Sequence, residues 1–275
     1  MVEINKKERI KNFRLQVYRY FKQQGRTLPW RTDYNPYHIF VSEVMLQQTQ
    51  VDRVTEKFTQ FIGFFPTVFS LAQAPLDKVL SAWQGLGYNR RAIALREAAR
   101  IIVKDYRGVI PGEPELLKTL PGIGPATAAS IAAFAYNRPT IFLETNIRTV
   151  LIHHFFPDRD AVHDEEILPI AEAALDRRNP RKWYSALMDY GTMLKKKHGN
   201  LSRRSVGYKK QSPFQGSKRQ LRGMILRSLI DGKDTGVQVL ARKLQRDPAE
   251  VREQLDALSG EGLLVKAGRF FRIAE

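Results

Sequence analysis

The sequence predicts a mainly α-helical protein that ends in a small winged helix-turn-helix domain. Apolar residues recur at helical spacing through most of the first two hundred residues, and strand-like alternation is nearly absent before residue 260. Beyond residue 217 the pattern changes to three short helical segments followed by a hairpin. The chain has 275 residues, which is enough for two or three modest domains with real cores.

This spacing places the helical segments in chain order. The first is amphipathic and runs from Ile10 to Gln24, and Pro36 can begin the second, because proline is tolerated in the first helical turn. Glu43 lies near the apolar face of the second segment, which is formed by Ile39, Phe40, Val44, Leu46 and Val51. Glycine and proline breaks fall at 85–87 and 111–112. Further helices are expected at about 53–64, 67–73, 76–84, 89–105, 114–119, 125–135, 145–155, 165–177 and 180–193.

The C-terminal part begins with a basic linker at 199–217, which is rich in glycine, serine, lysine and arginine. Three helices are expected after it, at 218–230, 237–244 and 248–258. Asp247 is the expected N-cap of the third helix, and Pro248 occupies its first position. With a hairpin over 262–273, this order makes a winged helix-turn-helix, which either grips DNA or docks a protein. Basic residues on or beside the wing favour DNA contact: Lys266, Arg269 and Arg272.

The charge of the chain predicts a polyanionic partner. Lysine and arginine number 45 against 28 acidic residues, a net charge of +17. No aspartate or glutamate occurs from Gly191 to Ile230, a stretch that we call the basic stripe. Its cations are Lys195, Lys196, Lys197, Arg203, Arg204, Lys209, Lys210, Lys218, Arg219, Arg222 and Arg227. A solvated surface usually mixes both signs, so the basic stripe is expected to follow a nucleic-acid backbone.

The absence of cysteine excludes several classes of site. Without cysteine there are no disulfides, no cysteine-ligated zinc and no cysteine-ligated iron–sulfur cluster. The N-terminus lacks the apolar core of a signal peptide, and no apolar run reaches 18 residues. We therefore expect a soluble, intracellular protein, cytoplasmic and associated with the nucleoid.

A glycine hairpin at Leu120–Ala128 is the first candidate functional motif. Gly122 and Gly124 allow a tight turn and a close approach to something large. The helix that follows points its N-terminus back at the turn, and exposed N–H groups there suit a phosphate. Glu144 lies 20 residues past Gly124. A carboxylate beyond a phosphate anchor indicates chemistry beside a nucleic-acid backbone.

Several other stretches carry a family resemblance. They are Leu28-Pro29-Trp30-Arg31, Asn35-Pro36-Tyr37, Val41-Ser42-Glu43-Val44-Met45-Leu46-Gln47-Gln48-Thr49-Gln50-Val51, Phe65-Pro66-Thr67, Trp83-Gln84-Gly85-Leu86-Gly87-Tyr88 and Asn146-Ile147-Arg148-Thr149-Val150. With the hairpin, they closely resemble the adenine-DNA glycosylases of the MutY type, in the helix-hairpin-helix glycosylase superfamily. The resemblance covers roughly residues 20–195, and the glutamate–diglutamine motif is far more specific than a lone hairpin.

The resemblance implies two helical lobes with DNA bound across the cleft between them. A six-helix barrel lobe with the helix-hairpin-helix is expected over 28–135, and a second helical lobe over 1–27 plus 136–198. The basic linker 199–217 and the winged-helix-like domain 218–275 follow. The expected partner is double-stranded DNA with a mismatch or lesion, bound by a monomer away from any membrane.

The resemblance also assigns the catalytic residues. Glu43 protonates the leaving base and later activates water, a role that requires burial to raise the pKa of its carboxyl. Glu144 stands where the family carries an aspartate, and its charge would stabilise the cationic transition state. Asn146 supports this carboxylate through hydrogen bonds. The longer arm of Glu144 leaves three interpretations open: an adapted site, a weak or altered enzyme, or a binding protein without turnover.

Further residues are assigned to the pocket and to DNA contact. Ala126 stands where bifunctional relatives have a Schiff-base lysine and where adenine glycosylases have tyrosine or serine, which implies a hydrolase without strong strand nicking. The pocket or strand-contacting positions are Arg26, Arg31 and Leu46, whereas Trp30 is expected to pack. The expected DNA contacts are Gln48 and Tyr88 as duplex wedges, Gly122, Gly124 and Thr127 at the hairpin, and Lys195, Lys196 and Lys197.

Two departures from the family concern cofactors and the C-terminal part. Most members hold a [4Fe–4S] cluster through four cysteines after Tyr190-Gly191-Thr192-Met193, and here Lys195 stands about where the first would be. We therefore expect no cluster and no required cofactor. A sodium or potassium ion at the hairpin is implied, bound by the carbonyls of Lys118, Leu120 and Ile123. Residues 218–275 are too short and too helical for the family's nudix-like domain.

These departures leave the substrate open. Adenine opposite 8-oxoguanine is the first expectation, on the strength of the glutamate motif. A glycosylase for another mismatched or damaged base is the alternative. A non-catalytic DNA-binding or regulatory protein is the alternative of another class.

Overall fold

The computed structural model describes residues 2–208, 210, 213–230 and 234–274, with side chains from residue 7 onwards. Lys209 of the basic stripe lies outside the described residues. The α-helices are α1 Val2–Gln24, α2 Pro36–Leu46, α3 Val51–Phe64, α4 Val68–Gln73, α5 Leu76–Ala82, α6 Arg90–Tyr106, α7 Pro114–Leu117, α8 Pro125–Tyr136, α9 Thr145–Phe155, α10 Asp164–Ala174, α11 Pro180–His198, α12 Lys218–Leu229, α13 Val237–Leu244 and α14 Pro248–Gly260. The strands are β1 Thr235–Gly236, β2 Leu264–Ala267 and β3 Phe270–Ile273, and 3₁₀ helices cover Pro29–Arg31 and Leu201–Arg204.

The predicted mainly helical fold is confirmed. The chain divides into two compact units: the first holds Met1–Phe40, Gly112–Thr119 and Ile123–Lys210, and the second holds Val41–Pro111, Leu120–Gly122 and Gln211–Glu275. This division cuts the chain at other points than the lobes expected from the resemblance, whose boundaries stay a prediction. No helix of the described residues is long and apolar enough to cross a membrane.

The first unit is built around α11, which packs against α1, α8 and α9. Trp183 of α11 is 1% exposed and meets Phe13 of α1 edge-on, with ring centroids 5.7 Å apart. Buried small residues over 128–135 give α8 a smooth surface that suits close helix packing. α10 packs on α1 and α9 and completes the unit.

The second unit has a helical part and a C-terminal part. In the helical part α4 and α5 pack against α6, around the buried rings of Phe61 and Trp83. In the C-terminal part α14 packs against α12, α13 and β2. Its three strands form an antiparallel sheet in the order β1-β3-β2, in which Val265 pairs with Arg272. The three helices and the hairpin lie where the sequence predicts them.

Several local features differ from the sequence predictions. α1 begins at Val2 rather than Ile10, and α11 continues to His198 rather than ending near residue 193. β1 is a strand of two residues, which is too short to leave an alternation signal. This strand is formed by its pairing with β3, and sequence spacing does not reveal such a contact.

The first part of the predicted linker is anchored to the first unit. Ser205 pairs with Val162 in a parallel bridge, and Ser202 and Ser205 are both buried. Arg204 donates to the carbonyl oxygens of Phe156 and Pro157 at 2.8 and 2.9 Å. Composition alone suggested a free linker, but short polar residues that bond to nearby backbone also build compact turns.

Candidate functional site

Glu43 lies in the middle of α2, at the position that the glutamate motif predicts. Its side chain is half-buried, between Ser42 and Val44, which are 0% and 1% exposed. Ile39 and Phe40, one turn earlier, are also buried, as the apolar pattern predicts. Glu43 therefore lies at the edge of an apolar helix face, and Leu46, further along the helix, is half-exposed.

Arg91 of α6 fixes the end of α2, and the sequence analysis missed it. Its guanidinium is buried and bonds to the last carbonyls of α2 and to the turn before Tyr88. The acceptors of Nη1 are the carbonyl oxygens of Val44 at 2.9 Å, Met45 at 2.8 Å and Gln47 at 2.6 Å. Those of Nη2 are Thr49 Oγ1 at 3.0 Å and the carbonyl oxygens of Leu86 at 3.3 Å and Gly87 at 3.0 Å. Burial lowers the pKa of Arg91 to about 10, so the group stays charged at neutral pH.

The two predicted wedge residues share an unusual backbone conformation. Gln48 has a φ of 55° and Tyr88 a φ of 49°, in the left-handed region. This region costs a non-glycine residue about 1–2 kcal/mol, so such turns persist only when their surroundings hold them. Arg91 bonds to backbone beside both turns and supplies that support. Gln47 adds a bond from Nε2 to the carbonyl oxygen of Gly122, at 3.0 Å, which connects the motif to the hairpin.

The structure explains the two hairpin glycines differently. Gly122 has a φ of 76°, and a Cβ there would lie 2.8 Å from the Cβ of Ala94. The fold itself therefore requires glycine at this position. Gly124 is the N-cap of α8 with a φ of −84°, and a Cβ there would meet no atom within 4 Å. The space in front of Gly124 is open, so the fold alone does not explain this glycine.

The other predicted hairpin residues differ in exposure. Ala126 is exposed on the first turn of α8, and Thr127 beside it is half-buried. Lys118 is exposed, whereas the side chains of Leu120 and Ile123 are buried at 2% and 5% exposure. Buried apolar anchors on either side of Gly122 hold the turn in shape. Cation binding by these backbone carbonyls stays a prediction.

Glu144 is the N-cap of α9 and is half-buried. Its Oε1 accepts from the backbone N–H of Ile147 at 2.8 Å, and Oε2 accepts from Asn146 Nδ2 at 3.3 Å. Burial raises the pKa of the Glu144 carboxyl, whereas the backbone N–H groups of Ile147 and Asn146 and the positive charges of Lys195 and Arg148 act to lower it. Asn146 thus makes the contact that the resemblance implies. The positive charge of Lys195 favours the ionised form of this carboxylate.

Gly191 positions Asn146, through a close approach of α11 to α9. A Cβ on Gly191 would lie 2.6 Å from the backbone oxygen of Asn146 and 2.7 Å from its Cβ. Any larger residue at this position would therefore push Asn146 away, and with it one hydrogen bond to Glu144. The sequence analysis named Gly191 only as part of a motif.

Asp189 is a second residue that the sequence analysis missed. It lies on α11 with a side chain 1% exposed and binds both predicted pocket arginines. Arg26 reaches Asp189 Oδ1 through Nη2 at 2.7 Å, and Arg31 reaches Oδ2 through Nη1 at 3.0 Å. A cavity of about 480 Å³ beside these arginines is also lined by Tyr34, Arg181 and Lys182, among other residues. Trp30 is 4% exposed and packs, as predicted.

Replacing Asp189 by asparagine is expected to lower the free energy of unfolding by about 3 kcal/mol, because two guanidinium groups lose the carboxylate that pairs with them. Urea unfolding of the full chain measures the change. Asp158→Asn, at an exposed site, is the matched control and should differ from the wild type by less than about 0.5 kcal/mol. Equal stabilities of the two variants would contradict the assignment.

Several cations of the basic stripe bind protein groups. Lys218 pairs with Glu253 at 2.5 Å, Arg222 pairs with Glu261, and Arg219 donates to the Tyr88 hydroxyl. Lys195 is half-exposed, and Lys196 and Lys197 are exposed in the last turn of α11, where cations also stabilise a helix end. Sequence spacing cannot show which cations are paired within the fold, and contact of the stripe with a nucleic-acid backbone stays a prediction.

Comparison with known proteins identifies the class. The model of the HhH-GPD superfamily base excision DNA repair proteins matches residues 41–172, a range that includes Glu43, the wedge turns, the hairpin and Glu144. The fold agrees, because a solved thermostable thymine-DNA glycosylase superposes with a TM-score of 0.60 at 22% identity, over 68% of this chain and 87% of that one. These residues and this fold define a helix-hairpin-helix base excision repair protein.

The family within this class follows from curated relatives. An adenine DNA glycosylase of Mycolicibacterium smegmatis is 34% identical over 274 residues, covering 91% of this chain and 92% of the relative. One of Buchnera aphidicola is 36% identical over 170 residues, covering 62% of this chain and 48% of that protein. The chain thus spans about half of the second relative and nearly all of the first. It belongs to the adenine DNA glycosylase family.

Proposed function

We propose that the protein is a monofunctional DNA glycosylase of base excision repair that hydrolyses the N-glycosidic bond of a mismatched or damaged base. Adenine opposite 8-oxoguanine is the proposed substrate. The observation that carries the proposal is Glu43 on α2, in a motif whose helix end and wedge turn are bound by one buried arginine. Family membership supports the same activity.

In the proposed mechanism the Glu43 carboxyl transfers its proton to a ring nitrogen of the leaving base. The bond from the base to the sugar C1′ then breaks, and the base leaves with that electron pair. The sugar becomes an oxocarbenium ion, which the carboxylate of Glu144 stabilises by its charge. Water adds to C1′ and gives a proton back to Glu43, so the acid is regenerated. Asn146 and the N–H of Ile147 hold Glu144 in place.

The proposed partner is duplex DNA from which the target nucleotide is extruded. Gln48 and Tyr88 would fill the space left in the duplex, and Arg91 binds the backbone beside both of their turns. Gly122, Gly124 and Thr127 would bind a phosphate, with the open space before Gly124 as the approach. Lys195, Lys196 and Lys197 would add backbone contacts. Arg26, Arg31, Leu46 and Ala126 would border the base.

Cofactors and assembly are proposed as follows. The protein is proposed to work without a cofactor, and the chain has no cysteine to bind an iron–sulfur cluster. A sodium or potassium ion at the carbonyls of Lys118, Leu120 and Ile123 would strengthen the phosphate contact. The active form is a monomer.

Base release from a panel of defined duplexes tests the proposed substrate. Each duplex carries one mismatch or lesion, and abasic sites are revealed by hot alkali after incubation with saturating protein. Adenine opposite 8-oxoguanine is expected to react at least tenfold faster than any other duplex. Faster reaction of another base would transfer the proposal to that base. No product from any duplex would favour the binding protein without turnover.

Strand nicking is expected to be weak, because Ala126 has no amine to attack the sugar and form a Schiff base. Borohydride added during the reaction should trap no covalent adduct with DNA above the level of a heat-inactivated sample. A lysine-containing variant, Ala126→Lys, provides the matched comparison, since its amine lies at the same exposed position of α8. A strong adduct with the unmodified protein would contradict the monofunctional mechanism.

DNA affinity is expected to fall by at least about tenfold between 50 and 200 mM salt, because phosphate neutralisation by several cations releases counterions. Fluorescence anisotropy of an intact duplex at four salt concentrations measures the slope. Replacing Lys196 and Lys197 together by alanine should reduce that slope by up to about two. A response that does not change with salt would contradict the charge-based contact.

A further inference from the structure

The first helix of the C-terminal part, α12, contacts the turn that carries Tyr88. Arg219 Nη1 donates to the Tyr88 hydroxyl oxygen at 2.5 Å. The guanidinium carbon of Arg219 lies 5.2 Å from the centroid of the Tyr88 ring and 5.5 Å from that of Phe214. Arg219 therefore combines a hydrogen bond with cation–π contacts and occupies a defined place beside this ring.

A second contact joins the same two regions. Glu261, which follows α14, accepts from both terminal nitrogens of Arg222 on α12. The same carboxylate lies 3.8 Å from Nε of Arg90, two residues after Tyr88. Both carboxylate and guanidinium of the Glu261–Arg222 pair are only 22% exposed, so solvent screens the pair weakly. The C-terminal part thus contacts residues 88 and 90 independently.

The charge of the exposed side of α14 is unfavourable for DNA. In a helix-turn-helix, the second helix is the one that usually enters the major groove. Here that helix is α14, and its exposed residues are Glu250, Arg252, Glu253 and Asp256, among others. Glu253 is paired with Lys218, which leaves the carboxylates of Glu250 and Asp256 against the guanidinium of Arg252. This excess of negative charge does not favour contact with phosphates. For α14 itself, docking on protein agrees better with these charges than entry into a DNA groove.

We propose that the C-terminal domain positions Tyr88, with Arg219 as the positioning residue, so that its ring is held ready to enter the duplex when the target nucleotide is extruded. Tyr88 also lies 5.5 Å from the guanidinium of Arg91 and has a left-handed backbone conformation, so its ring is bounded by two guanidinium groups. A ring already fixed before DNA binds loses less conformational entropy on insertion. The proposal rests on the wedge role of Tyr88 within the proposed function.

The test compares Arg219→Ala and Arg219→Lys with Arg252→Ala in the full-length protein. Arg252 is exposed on α14, and its replacement removes the same charge from the same domain. Extrusion is read as the fluorescence increase of 2-aminopurine placed next to the target nucleotide, at saturating protein. In Arg219→Ala, the fluorescence increase and the single-turnover rate are both expected to be at least fivefold lower than in the wild type. In Arg219→Lys, both reductions should be smaller. Arg252→Ala should stay within twofold of the wild type.

Tyr88→Phe separates positioning from general stability. It removes only the hydroxyl that Arg219 binds. The double variant, Tyr88→Phe with Arg219→Ala, should extrude the nucleotide no worse than Arg219→Ala alone. Both changes remove the same hydrogen bond, so their effects should not add. Additive losses, or equal behaviour of Arg219→Ala and Arg252→Ala, would overturn the proposal. If Arg219→Ala does not fold, as judged by its melting curve, Arg219→Lys and Tyr88→Phe give the same decision.

The fluorescence readout does not require bond cleavage. A wild-type protein that extrudes the nucleotide without base release would contradict the proposed function. The fluorescence of the Arg219 variants would still decide whether Arg219 positions Tyr88. A wild-type protein that gives no fluorescence increase with any duplex would overturn the positioning proposal itself.

Discussion

Glu43→Gln is expected to lower the single-turnover rate of base release by about 100- to 10,000-fold, the range that a positioned general acid contributes. Glutamine has nearly the same shape but carries no carboxyl proton to give to the leaving base. Its amide still fits the half-buried position on α2, so the fold and the affinity for DNA should be retained. The rate is measured with protein in excess over duplex, and the affinity by anisotropy on the same duplex.

Glu56→Gln is the matched control for this prediction. It makes the same substitution at an exposed position of α3 in the same compact unit. Its rate should stay within about twofold of the wild type. A Glu43→Gln protein that binds DNA and releases base at the wild-type rate would remove Glu43 from the chemistry.

Glu144→Gln is expected to lower the rate by about 100-fold or more while raising stability at neutral pH. The rate falls because the cationic sugar loses its counter-charge. Stability rises because burial raises the pKa of Glu144, so the ionised carboxylate is less favourable in the folded state than in the unfolded chain. Glutamine keeps an oxygen that can accept from the N–H of Ile147, so the helix cap is retained.

The pH dependence of stability in Glu144→Gln tests the direction of this pKa shift. In the wild type the raised pKa favours folding below the unfolded-state pKa, where Glu144 is protonated, and this advantage is lost as pH rises through the folded pKa. The stability gain of the variant should therefore be present at neutral pH and shrink as pH falls below the raised pKa. Urea unfolding from acid to neutral pH measures it. A variant less stable than the wild type at neutral pH would contradict this account.

Glu166→Gln is the matched control for Glu144. Glu166 lies in the first turn of α10, where the pKa of its carboxyl is lowered by a hydrogen bond from the backbone N–H of His163. Its replacement should leave base release within about twofold of the wild type. The comparison separates the effect of removing any glutamate near a helix start from the specific effect at Glu144.

Helical spacing predicted most elements, because each helix buries one apolar face. α2, α8 and α9 begin at or within a residue of the expected starts, and proline at the first helical position marks two of those starts. The ends were less predictable. The C-terminal extension of α11 consists of the buried Leu194, three lysines and a histidine. The cations after Leu194 leave no apolar period but suit a helix C-terminus.

The catalytic role of Glu43 was available from the sequence only through the family resemblance, since an isolated glutamate on a helix is usually a surface residue. Glu144 was first indicated by its position beyond the glycine hairpin, and the resemblance gave its role. Arg91 could not be predicted, because nothing in the sequence distinguishes a buried arginine that bonds to backbone carbonyls from a solvated one. Asp189 left a usable signal. It lies among buried residues of α11, near Ala186 and Tyr190, and an acid on an apolar face requires a cationic partner.

Direct detection of free adenine tests the central claim. A duplex with adenine opposite 8-oxoguanine is incubated with excess protein, and the solution is separated by chromatography before any alkali is added. We predict one free adenine per duplex and an unbroken strand that breaks only on later alkali treatment. An intact adenine nucleotide after complete binding of the duplex, with no free base, would contradict the account.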